Sequence, residues 1–263
     1  MEKINYFKKS WRLLLKSFKD LDSRALFIFL YDFLFFFIAS LSVFIFSKLV
    51  QSNLIKITAL PMDKLLELPG PELQNILAEL KGTLFLLIGG FFIVALIIFI
   101  AISIFKCLVW FITSNKKCDL EHIFKFTLLN LIWFAMWIIP ALILIFTLRK
   151  ELIPFIVVIT LLGLIHFTNI LYILFVHESH IRTIKHAFSL GIKKIYLFII
   201  PYIFSLIILI VLNLVYWLYQ NIDATKINFV AYFMLISLPI LLYMIWSRNY
   251  LRLVVEDIKN SSK

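Results

Sequence analysis

Apolar residues run together along this chain in six stretches, 25–46, 83–105, 126–148, 152–176, 195–218 and 229–246. Each is close to the roughly 20 residues a helix needs to cross about 30 Å of hydrocarbon. None alternates polar and apolar positions as a barrel strand does, and lipid offers no partner to an unpaired backbone group. The pattern therefore predicts an all-α integral membrane protein with six transmembrane helices. Between the stretches the pattern turns amphipathic. Residues 7–21 place Phe7, Trp11, Leu14, Leu15, Phe18 and Leu21 on one helical face and Lys8, Lys9, Arg12, Lys16 and Lys19 on the other. Segment 1–24 thus reads as a basic amphipathic helix in the membrane interface, with those five cations at lipid headgroups. It serves either as a plain anchor for the first span or in a role of its own.

The longest connection, 51–82, predicts a short amphipathic helix from Pro71 through Leu73, Ile76, Leu77 and Leu80. A turn or two from Pro61 to Leu68 precedes it, and Pro69-Gly70 ends that turn. The segment is either a lid on the outer surface or a simple connector. A further amphipathic piece precedes the fifth span. The chain reads as one polytopic membrane domain over 1–263. Its first span follows a charged helix with no small-residue cleavage site, so it is expected to be retained.

Composition sharpens the class. Hydrophobic residues make up 63% of the chain and charged residues 16%, against about 45–50% and about 25% in a soluble domain. Too little polar surface remains to cover such a core in water. The cations then orient it. Residues 1–24 hold seven Lys and Arg, 106–125 four, 182–194 four and 248–263 four, so nineteen of the 26 fall on one side. Positive charge stays inside, which predicts both termini in the cytoplasm and a cell-membrane location. The net charge of +11 reads as a skirt facing anionic headgroups rather than a nucleic-acid surface. Cys107 and Cys118 fall on the same side and are expected as free thiols.

A weak internal repeat is visible, with three amphipathic pieces each leading into a helical hairpin. Trp137-Ile-Ile-Pro140 and Phe198-Ile-Ile-Pro201 give it a local match. Pro140, Pro201 and Pro239 fall inside spans, where each removes a backbone donor and invites a kink. Such kinks act as hinges or are simply tolerated.

Candidate chemistry is sparse. Asp32 lies about 10 Å inside the first span on a rise of 1.5 Å per residue, where a carboxylate is costly and must face a partner or water. His166 and Asn169 in the fourth span are the other candidates for one buried polar cluster with it. That cluster is either a proton- or cation-sensitive site, Asp32 carrying and His166 relaying, or a hydrogen-bonded packing contact. His177-Glu178-Ser179-His180 lacks the four-residue histidine spacing of zinc proteases. Cys118 and His122, with His177 and His180, form a weak zinc candidate, and interfacial histidines are the favoured reading. No cofactor is expected. Phosphate loops, nucleophile elbows and paired intramembrane acids are missing, which argues against an enzyme.

The segment from Leu174 to Lys194, LFVHESHIRTIKHAFSLGIKK, runs straight into an apolar span. It resembles the prokaryotic six-helix membrane domains related to the glycerophosphodiester phosphodiesterase membrane domain. Glu178 and Ala187-Phe-Ser189 match the acidic residue and the amphipathic motif of those families. The resemblance implies their topology; the catalytic phosphodiesterase domain has no counterpart. The expected function is a non-catalytic accessory or scaffold that binds lipid and a membrane protein partner or a second copy. The alternative is a small transporter, or an ABC-2-like permease subunit, using the Asp32 and His166 site.

Overall fold

The computed structural model describes residues 2–20, 22–58, 70–221 and 229–261, and every regular element among them is helical. The order is α1 (Glu2–Lys19), α2 (Arg24–Thr58), α3 (Gly70–Thr113), α4 (Leu120–Thr147), α5 (Ile153–Glu178), α6 (Thr183–Lys193), α7 (Ile199–Asn221) and α8 (Phe229–Ser261). Five segments are long and apolar enough to cross a membrane: Arg24–Asn53, Leu73–Thr113, Leu120–Thr147, Lys150–Glu178 and Ile195–Val215. This is consistent with a multi-pass membrane protein. The sixth expected span, 229–246, is helical within α8, and the side chains of its first ten residues lie outside the described set.

Several helices outrun the apolar windows that predicted them. The outer amphipathic helix is not separate, because Pro71 opens α3 and the helix continues for 44 residues through Gly82, Gly89 and Gly90. Residues 51–58 likewise extend α2. The turn expected over 61–68 lies outside the described residues. At its other end α3 passes the expected stop at Phe105 and reaches Thr113. There Asn115 adopts a left-handed φ of 55°. Its N–H bonds to the Ile112 carbonyl and that of Lys116 to the Phe111 carbonyl, the two bonds of a Schellman turn. Asp119 then caps α4 by accepting from the His122 N–H at 2.9 Å. That bond holds the exposed Asp119 carboxyl below its usual range.

Two compact units arise. One comprises residues 33–105, where Gly90 brings α3 against Phe46 of α2. The other comprises residues 1–32 with 106–263, and among its described residues burial is concentrated at one level. On α4 the buried residues are Phe126, Leu129, Asn130 and Trp133, and none lies beyond. On α5 they begin at His166 and run through Ile170–Val176. On α8 those among the described side chains lie from Leu241 onward. The far stretches of α4 and α5 expose Ile139, Ile143, Phe146, Phe155, Ile159 and Leu162, as lipid-facing side chains do at no cost.

The two local matches of the repeat occupy different levels. Pro140 stands deep inside α4, whereas Pro201 sits in the first turn of α7. At that place a helix has no acceptor for the missing N–H, so Pro201 breaks no bond. Pro140 and Pro239 are carried inside continuous helices.

α1, expected as an interfacial helix, docks against α8. Leu14 and Ser17 are buried, and Trp246 of α8 donates its indole N–H to the Ser17 hydroxyl at 2.9 Å. Asn249 donates to the Ser17 carbonyl at 2.8 Å, and the Phe18 ring stacks on Trp246. The face read from the pattern is therefore divided. Leu14 and Ser17 turn inward, while Trp11, Leu15 and Phe18 remain about half exposed beside exposed Arg12, Lys16 and Lys19. The side chains of Lys8 and Lys9 lie outside the described residues.

Helix α5 meets α4 across Gly163, where an added Cβ would stand 2.6 Å from the Trp137 ring. Trp133, Phe167 and Phe188 pack against that ring and restrict its retreat. Gly163→Ala should therefore destabilise the detergent-solubilised protein by about 1–3 kcal/mol. The same change in a Trp137→Leu background should be nearly neutral. Thermal unfolding of the four proteins of this cycle checks it, and equal losses in both backgrounds would refute the contact.

Candidate functional site

Asp32 lies two turns inside the start of α2, and its side chain is fully buried. Two cations meet it. Lys106, two turns before the end of α3, donates from Nζ to Oδ1 at 2.8 Å. Arg248, in the second half of α8, forks across the carboxylate, bonding Oδ2 through one guanidinium nitrogen and Oδ1 through the other at 3.1 Å. Arg248 is 7% exposed and Lys106 15%. Three helices distant in sequence thus converge on one carboxylate.

Both partners were missed at the sequence level, where Lys106 and Arg248 counted among the charges of the skirt. They belong instead to the bundle interior. The signal was available. Residues 107–112 are uniformly apolar after Lys106, so the helix had to continue past it. Trp246, Tyr250 and Leu251 flank Arg248 at helical spacing and are buried with it. A bidentate Arg–carboxylate pair is the geometry that best offsets removing both ions from water. The second cation leaves the group with one net positive charge.

His166 has other partners. Its Nδ1 meets the Tyr202 hydroxyl of α7, and its Nε2 lies 3.2 Å from the Gly191 carbonyl of α6. A carbonyl only accepts, so Nε2 carries a proton toward Gly191. The imidazole thereby ties α5, α6 and α7 together. Gly191 permits it, since a Cβ there would stand 2.6 Å from Phe167 and 3.1 Å from Nε2. Asn169 bonds locally, donating to the Ile165 carbonyl at 3.0 Å. The expected union of Asp32, His166 and Asn169 is therefore not formed. Asp32 and His166 anchor two separate polar contacts, and Asn169 anchors neither. A third contact, Tyr172 donating to Asn130 at 2.7 Å, joins α5 to α4.

The zinc candidates are likewise engaged separately. Cys118 Sγ touches Cys107 Sγ at 3.3 Å, and His122 Nδ1 meets Asp119 at 2.5 Å. His177 lies beside Lys116 and Glu256, and the His180 ring accepts from the Arg182 N–H. No group of three or more His, Cys, Asp or Glu suited to a metal ion occurs among the described residues. Glu178 ends α5 and holds the following turn, pairing with His186 at 3.0 Å and Lys259 at 3.8 Å. Ser179 makes that turn in the left-handed region, at φ 49°.

A small cavity of about 20 Å³ opens beside the Asp32 group, lined by Asp22, Arg24, Ile28, Thr113, Ile245 and Asn249 among others. That is room for roughly one water. It comes within one helical turn of Asp32 at Ile28, and Asp32 is not part of its lining.

Removing the carboxylate takes away the partner that Lys106 and Arg248 share. Asp32→Asn should cost about 3–5 kcal/mol of stability. A triple change, Asp32→Leu with Lys106→Met and Arg248→Met, should fold with stability near that of the parent. Thermal melts in one detergent decide this. A stable single variant would mean that the cations reach water, and the group would then not be a closed one.

No family model matches the chain, and no similar curated protein or solved structure was found.

Proposed function

We propose that this chain is a non-catalytic accessory or scaffold protein of a prokaryotic cell membrane. It has six spans, the sixth at 229–246, with both termini in the cytoplasm. The observation that carries the reading is the employment of its intramembrane polar groups. Asp32, His166, Asn130 and Tyr172 each bind another helix of the same chain, as structural groups do. The orientation rests on the cation asymmetry, which persists when Lys106 and Arg248 are set aside. The proposed kinship with the six-helix domains related to the glycerophosphodiester phosphodiesterase membrane domain rests on the sequence from Leu174 to Lys194.

Lipid is one partner. Trp11, Leu15 and Phe18 enter the interface from α1, and Arg12, Lys16 and Lys19 meet anionic headgroups. A membrane protein or a second copy is the other, against the extended apolar faces; nucleic acid is not a partner. The competing reading, a transporter or permease subunit, is favoured by one observation: the surplus positive charge beside a water-sized cavity.

Purification from native membranes in mild detergent, with mass spectrometry of what accompanies the chain, separates the two. The accessory reading expects a stoichiometric protein partner or a self-oligomer, with anionic lipid retained. Arg12→Glu, Lys16→Glu and Lys19→Glu together should release most of that lipid. A chain that purifies alone and conducts protons or solute in liposomes would overturn the reading.

A further inference from the structure

Cys107 and Cys118 are expected merely as two free thiols, yet the fold brings them into contact. Cys107 lies near the end of α3, fully buried, one residue past Lys106. Cys118 follows the reversal at Asn115 and is part exposed. Their sulfurs stand 3.3 Å apart. A disulfide needs about 2.05 Å, so the two sulfurs would have to close by about 1 Å.

The contact is held from both sides. The two bonds of the Asn115 turn fix the path of the chain out of α3. Lys116 donates to the Val176 carbonyl at 2.8 Å and pins the loop to the end of α5. The His122 ring packs edge-on against Phe111, one turn beyond Cys107. Cys118 therefore has little room to drift away. Once one sulfur of such a pair is oxidised, the neighbouring thiol reaches it far more readily than a thiol of another molecule does.

We propose that Cys107 and Cys118 form a reversible dithiol modification site, oxidised by a peroxide to an intrachain disulfide across the α3–α4 turn. The part-exposed sulfur of Cys118 attacks one peroxide oxygen as the thiolate. The O–O bond breaks, one water leaves, and Cys118 becomes a sulfenic acid. The Cys107 sulfur, having given up its proton, then attacks the Cys118 sulfur. Hydroxide departs and takes up that proton as a second water. Two thiols lose two electrons and two protons, and one hydrogen peroxide becomes two waters. Oxidation ties the start of α4 to the helix that carries Lys106. Burial raises the Cys118 thiol above its ordinary range, and only the thiolate attacks. The rate should therefore climb as pH rises through that range and beyond.

The experiment uses the full chain in its native membranes. Acid quenching followed by maleimide labelling should find two reactive thiols after denaturation. Hydrogen peroxide should abolish both and lower the intact mass by two hydrogens, and dithiothreitol should restore both. In Cys107→Ser, peroxide should leave a dimedone-reactive sulfenic acid on Cys118. In Cys118→Ser, the buried Cys107 should remain a thiol. Two labelled thiols persisting after peroxide would overturn the proposal. So would a disulfide already present in quenched, untreated membranes, or a cross-linked dimer in place of the intrachain product.

Discussion

One carboxylate shared by two cations holds together the part of this chain that carries its termini. Asp32 sits where water does not reach, and an unpaired charge there would cost several kcal/mol. Lys106 and Arg248 remove that cost only when α2, α3 and α8 stand at the right depth and rotation. Apolar packing between membrane helices cannot supply this selectivity, because lipid tails solvate leucine as well as another helix does. The ion group thus specifies which helix faces meet. The His166–Tyr202 and Tyr172–Asn130 bonds repeat the device at smaller scale for α4, α5, α6 and α7. Each such bond contributes about 0.6 kcal/mol on average in a membrane, so specification outweighs strength.

The distribution of burial follows from the same physics. Polar ties and large buried rings such as Trp110, Trp133 and Phe126 occur at one level of the unit that contains both termini. Farther along α4 and α5 the side chains are apolar on all sides and touch little. Such stretches are stable helices in hydrocarbon without tertiary neighbours, because their backbone bonds are satisfied within the helix.

The class of the protein was plain in its apolar runs, and so was the cost of Asp32. The partners of Asp32 were not. A lysine or arginine near the end of an apolar run looks the same whether it snorkels to a headgroup or turns inward to a carboxylate. Only the continuation of α3 beyond Lys106, and of α8 beyond Arg248, separates the cases. The true length of α3 escaped notice for a related reason. Its amphipathic first turns differ in hydropathy from its span, while backbone geometry needs no break between them. The tie between His166 and Tyr202 was hidden because a tyrosine among apolar neighbours gives no sign of which helix its hydroxyl will face. α1 was recognised as amphipathic, yet the inward turn of Ser17 depends on Trp246 and Asn249, more than two hundred residues away.

That last separation bears on how the protein is made. The residue that seats α1 and the guanidinium that completes the Asp32 group both belong to α8, which is synthesised after the helices they fasten. At about 5–20 residues per second, roughly ten to fifty seconds pass between synthesis of Ser17 and of Trp246. Throughout that interval the contacts of Ser17 with Trp246 and Asn249 cannot form, and the buried carboxylate has Lys106 without Arg248. Both fastenings therefore wait for α8, and a chain truncated before it would lack the dock of Ser17 and the second cation of Asp32.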